Sequence, residues 1–189
     1  MKGHILAVAG KLLAAGAVAA YLSGCASSAD PHAMAVTDTP AAAGTTVKPF
    51  PAPLMHAMCV RNVTGGEKTN PLWVSKVDND GFKSALDTSM TSAGLTATDA
   101  AACAYPVDVN LLGLSQPSMG FDMTVTSHVN YKVFNSSSEP FLLATIDAPF
   151  TATMSDAFMG VERLKKANEG SIRASISMFF DKLKDSEPK

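Results

Sequence analysis

Between Phe121 and Val133 apolar and polar residues alternate. Phe121, Met123, Val125, Val129, Tyr131 and Val133 fall on one side, and Thr124, Thr126, His128, Asn130 and Lys132 on the other. A period of two predicts a strand with one face in a core and the other in water. Val107, Val109 and Leu111, alternating with Asp108 and Asn110, predict a second such strand. Phe141–Ala148 follows the turn cluster Asn135–Pro140 as a third, with Phe150–Met154 as its bent continuation. Met55–Val63, closed by Gly65 and Gly66, predicts a strand nearer the N-terminus.

Two stretches carry the helical period instead. Phe82, Leu86, Met90 and Ala93 share one face, with Asp78 or Asn79 placed to cap the start and Gly94-Leu95 to stop the end. Val161, Leu164, Ile172, Ile176, Phe179 and Leu183 mark a stripe from about Asp156 to Leu183, with Ser155 as the expected cap. Glu169 and Arg173 are spaced for an i,i+4 pair. Gly170 costs that helix ~1 kcal/mol relative to alanine, or else marks close packing. The order β-α-β-β-β-α predicts an α+β fold over residues 54–185. It is a two-layer sandwich: a four-stranded, mostly antiparallel sheet, both helices on its apolar face, and a polar open face opposite.

The N-terminus follows another logic. Lys2 and Lys11 precede the apolar run Leu12–Leu22, which is too short to span a bilayer, since that needs about 20 residues. Leu22-Ser23-Gly24-Cys25 then sets small residues directly before a cysteine. This resembles the lipobox of bacterial lipoproteins, which implies that residues 1–24 are a signal peptide and that Cys25 carries lipid as the mature N-terminus. The alternatives are an ordinary secretory signal with a chance cysteine, or a buried apolar helix. Ala26 after the cysteine, by resemblance to Gram-negative lipoproteins, implies an outer-membrane, periplasm-facing location. Residues 25–53, rich in Ala, Pro, Thr and Ser with no apolar period, are expected to form a lipidated flexible tether.

Charge narrows the partners. The chain has 15 basic and 17 acidic residues. Loss of Lys2 and Lys11 leaves thirteen against seventeen, about −4, which disfavours nucleic acid or an anionic membrane surface as a partner. The basic cluster Arg163, Lys165 and Lys166, interleaved with Glu162 and Glu169, reads as a solvated helix face. With Cys25 lipidated, Cys59 and Cys103 remain in an oxidising compartment, which favours a disulfide over two buried thiols.

Candidate chemistry is sparse. No G-x-S-x-G, H-E-x-x-H or P-loop pattern occurs. His56 and His128 fall on predicted strands, and His128 reads as a solvated residue of the polar face. His56-x-x-Cys59 does not converge on a metal, because strand positions three apart face opposite ways. No catalytic residue, metal or cofactor is therefore expected, and the reading is non-enzymatic. The loop Thr64–Val74 contains Pro71, Leu72 and Trp73, the single Trp. It is either a binding hot spot or a plug folded onto the core edge. Met119 and Phe121 could extend such a patch.

The segments GGEKTNPLW, GFKSALDTSMTSAGL, GFDMTVTSHVNYKV and DAFMGVERLKKANEGSIRASI resemble a family of small, mostly uncharacterised Gram-negative outer-membrane lipoproteins. More loosely, the element order is similar to the TolB N-terminal-like and YajG-like envelope lipoprotein domains. That resemblance implies a scaffold or adaptor role and supplies no catalytic residue. The expected function is a lipid-anchored binding or assembly module with an envelope protein partner. The rival is an envelope enzyme or small-ligand carrier using a pocket between helix and sheet.

Overall fold

In a computed structural model, which describes residues 26–37, 48–70, 74–118 and 120–188, the alternating runs pair into one sheet. The strands are β1 (Met58–Thr64), β2 (Tyr105–Ser115), β3 (Met123–Phe134) and β4 (Pro140–Ala152), in the order β1-β2-β3-β4. β3 pairs antiparallel with both neighbours, placing Val129 opposite Leu111 and Ile146. β1 lies parallel to β2, with Val60 opposite Val107. A parallel pair needs a crossover, and helix α2 (Asn79–Ser92) supplies it. The α+β expectation therefore holds, with one parallel pair in an otherwise antiparallel sheet.

The inward residues Val125, Val129, Tyr131 and Val133 of β3 are fully buried. Helix α3 (Gly160–Lys184) packs on them through Ile172, Ile176 and Phe179, and the Phe179 ring stacks on Tyr131 at 4.3 Å. Two serines lock this layer. Ser171 Oγ accepts from the Ser127 N–H at 2.8 Å and donates to the Ala148 carbonyl at 2.8 Å. Burial pushes the Tyr131 phenol far above its ordinary value, and its hydroxyl pairs with Ser175 at 3.0 Å. Gly170 marks close packing, because a Cβ there would lie 2.3 Å from the Phe150 ring.

α2 starts and stops as its sequence predicts. Asp78 Oδ1 accepts from the Gly81 N–H at 2.7 Å. Gly94, at φ 71°, turns the chain so that Leu95 N–H returns to Met90 and Gly94 N–H to Thr91. The Cys59–Cys103 disulfide is formed, with Cα atoms 5.7 Å apart, and ties β1 to the segment entering β2.

Four expectations about the N-terminal segment and the last helix need correction. First, residues 26–37 and 48–53 are not a free tether. Helix α1 (Pro31–Met34) lies against α2 and α3, with Met34 fully buried and Ala29 and Ala35 nearly so. Short apolar residues without a long period can still fill a groove once its walls exist. Second, α3 begins at Gly160, not Asp156, and Ser155 does not cap it. Ser155 and Asp156 instead bond Thr153 and close the turn after β4. Third, Glu169 and Arg173 do not pair. Glu169 accepts the Asp30 N–H at 2.8 Å, and Arg173 donates to the Ala33 carbonyl. Fourth, Arg163 is not solvated, being only 6 % exposed.

Candidate functional site

Helices α2 and α3 pack on the inner face of the sheet, and no described helix covers the outer one. Strand register sorts the outer polar side chains into cross-strand rows. In the first, Arg61 donates to Asp108 through Nε at 2.8 Å and through its terminal nitrogen at 2.5 Å. This two-pronged pairing holds the Asp108 carboxyl below the usual carboxylate range. The same guanidinium sits 4.4 Å from the Phe134 ring centre, and Lys132 stands opposite Asp108 on β3. In the second row, Thr64 Oγ1 donates to Asn110 at 3.2 Å. Asn110 faces Asn130, which donates to Thr145 at 3.0 Å. Between these rows lies a depression of about 220 Å³ lined by Asn62, Thr64, Asp108, Asn110, Asn130 and Lys132.

The third row was not legible in the sequence. His128 on β3 bonds through Nε2 to Ser115 Oγ on β2 at 2.9 Å. Through Nδ1 it bonds to Asp147 Oδ1 on β4 at 2.7 Å. Asp147 faces His128 directly, and a bulge at Leu111–Gly113 brings Ser115 diagonally within reach. His128 is thus held between two strands rather than merely solvated. The line has the connectivity of a nucleophile, a base and an orienting acid. The Asp147 side chain is 66 % exposed, so water competes for its carboxylate and the row stays soft. No short motif joins residues 13 and 19 positions apart; register alone does.

Of the residues singled out from the sequence, Cys25, Pro71, Leu72, Trp73 and Met119 lie outside the described residues. Residues 1–24 do so too, as does part of the expected tether, 38–47. Phe121 is described and is 81 % exposed, just ahead of β3 rather than inside it. Two residues missed by the sequence reading join it at this end of the domain. Phe158, 84 % exposed, and Met159, 51 % exposed, occupy the loop before α3. Placing the helix start at Asp156 had hidden them among helical positions. Between the sheet and the segment entering α2, a cavity lined by Gly65, Glu67, Lys76, Val77, Leu111 and Leu114 measures only about 20 Å³. That is room for about one water molecule, and it is too small for a carried ligand.

No protein-family model matches the chain, and no curated relative does. Solved structures similar to it include a Xanthomonas campestris protein of the DUF330 family, at 11 % identity and a TM-score of 0.46, covering 72 % of this chain and 89 % of that one. A minor lipoprotein of Acinetobacter baumannii is similar at 8 % identity and a TM-score of 0.40, covering 66 % and 92 %. A lipoprotein of Neisseria meningitidis is similar at 8 % identity and a TM-score of 0.40, covering 70 % and 99 %. At these levels the likeness carries no inference about what this chain binds or does; the α+β architecture stands on the sheet and helices themselves.

Proposed function

We propose that the chain is an envelope lipoprotein, held in the outer membrane by acyl chains on Cys25 and facing the periplasm. On this reading it serves as a binding or assembly module without enzymatic activity. One observation carries the reading: a whole sheet face, four strands wide, exposes hydrogen-bonding groups already aligned in rows. Arg61, Asp108, Asn110, Asn130, Lys132, His128 and Asp147 offer donors and acceptors of both charges to a hydrophilic partner. Aligned rows lose little side-chain freedom when a partner binds, which favours recognition. The test is crosslinking and pull-down of the acylated, tagged protein from intact envelopes, comparing the parent with Asn130→Arg. The substitution gives up the half-buried Asn130–Thr145 bond at a cost of about 1 kcal/mol, so capture is compared only after circular dichroism shows the variant folded. A stoichiometric envelope protein that is captured by the parent and lost in the variant supports the reading. Undiminished capture removes the sheet face from it.

The Ser115–His128–Asp147 row favours a second reading, an envelope hydrolase. In it Ser115 Oγ attacks a carbonyl and gives its proton to His128 Nε2, which passes it to the departing alcohol or amine as the acyl–oxygen or acyl–nitrogen bond breaks. Water activated by the same nitrogen then releases the acyl group from Ser115, while Asp147 orients the ring through Nδ1. A serine-directed fluorophosphonate should then label the parent and not Ser115→Ala. No labelling of Ser115 ends this reading and leaves the first untouched.

A further inference from the structure

We propose that the end of the domain bearing Phe121, Phe158 and Met159 is a membrane-docking surface. It inserts into the lipid leaflet that holds the acyl chains of Cys25, and so rests on the acyl-anchor reading above. Phe121 and Phe158 are the most exposed large apolar side chains among the described residues, at 81 % and 84 %. They sit on different loops, yet one buried residue holds those loops together. Arg163 donates to the carbonyls of Ala157 and Phe158 at 2.8 and 2.7 Å, and to that of Gly120 at 3.4 Å. A buried arginine anchored to three backbone carbonyls ties together two loops that each hold a phenylalanine in water, an arrangement unfavourable for a free surface. Met154, 42 % exposed in the turn after β4, lies at the same end.

The path of the N-terminal segment identifies the occupant. Ala29 N–H meets the Lys76 carbonyl just before α2 starts, and Asp30 N–H meets Glu169. Further on, Arg173 reaches the Ala33 carbonyl, and Val36 N–H reaches Ser89 in the third turn of α2. The segment therefore runs along α2 and α3 in their own direction, entering from the end where both helices begin. That end also carries residues 120–122 ahead of β3 and the 153–159 loop. Ala26 is four residues from Asp30, hence within about 14 Å of it, and Cys25 is its covalent neighbour. The lipid and the exposed phenylalanines thus belong to one end, with no long spacer between bilayer and domain. The surrounding charges are mixed, with exposed Lys166 facing Asp156 and with Glu162 nearby, so insertion is apolar rather than drawn by anionic headgroups. In this pose the strands rise from the bilayer and the polar sheet face looks sideways, open to a partner.

The test places a photo-crosslinking benzoylphenylalanine at position 121, 158 or 137 of the full chain, expressed in cells with radiolabelled phospholipid. Ser137 is exposed in the β3–β4 turn at the opposite end. The mass of the N-terminal peptide reports acylation of Cys25 separately. Lipid adducts at 121 and 158 several-fold above those at 137 support docking, with or without an acyl group on Cys25. Equal lipid labelling at all three positions, or protein adducts replacing lipid at 121 and 158, overturns it. An unmodified Cys25 overturns the anchor reading by itself.

Discussion

Replacing Gly170 with alanine sets two effects of known sign against each other. In an ordinary helix interior, alanine is favoured over glycine by ~1 kcal/mol. Here the new Cβ would lie 2.3 Å from Phe150 Cδ1, 2.4 Å from Cγ and 2.5 Å from Cε1. Phe150, opposite Val125 near the end of β4, lays its ring against Gly170 while remaining 38 % exposed at the edge of the layer. Its Cγ cannot clear the methyl by a ring flip; the side chain must leave its rotamer, or α3 must lift off β4. Overpacking of this kind costs about 1–3 kcal/mol. With three ring atoms inside contact distance, the upper half of that range applies. Gly170→Ala is expected to destabilise by about 1–2 kcal/mol net of its propensity gain. In a Phe150→Ala background the same substitution should stabilise by up to ~1 kcal/mol. The coupling between the two sites is then about 2–3 kcal/mol, within the range for touching residues. Urea unfolding of the disulfide-intact domain, followed by circular dichroism at constant m, reads all four corners of the cycle. A higher midpoint for Gly170→Ala in the parent background would refute the packing argument.

Two further predictions concern bonds that the fold makes across long separations. Removing the Cys59–Cys103 bridge by a double alanine substitution should lower stability by roughly 2–4 kcal/mol, since it frees a loop with ends 44 residues apart. A loss below ~1 kcal/mol in chemical denaturation, or a dithiothreitol effect persisting in the double variant, contradicts it. Glu169 is held above its ordinary pKa of 4.5 chiefly by burial, which outweighs the Asp30 N–H bond and Lys165. The folded state therefore holds more protons than the unfolded one between 4.5 and the raised value, and stability falls as pH rises through that window. Glu169→Gln keeps an oxygen for the Asp30 N–H, so the fall should flatten and neutral-pH stability should match or exceed the parent's. A pH–stability curve unchanged in that window would show that the carboxyl ionises freely.

How much was legible follows from the range of each interaction. Side-chain alternation is a property of neighbours, so β3, its polar outer residues and the overall α+β order could be read from the chain. The α2 boundaries were equally local: Asp78 caps within three residues, and Gly94 turns the chain within five. With Cys25 expected to carry lipid, Cys59 and Cys103 were the cysteines left to pair, and the structure joins them. Other features depended on groups distant in sequence and arose only when the fold brought them together. The His128 row exists because register and a bulge bring Ser115 and Asp147 to one ring. Arg163 and Glu169 resembled solvated helix charges until the loops and the N-terminal segment closed over them. That segment, lacking any periodicity, took its conformation from the groove between α2 and α3. Neighbouring residues along the chain set which positions prefer water and which repeat they follow. The assembled sheet and helices decided which polar groups meet, because hydrogen bonding and burial act through space while periodicity acts only along the chain.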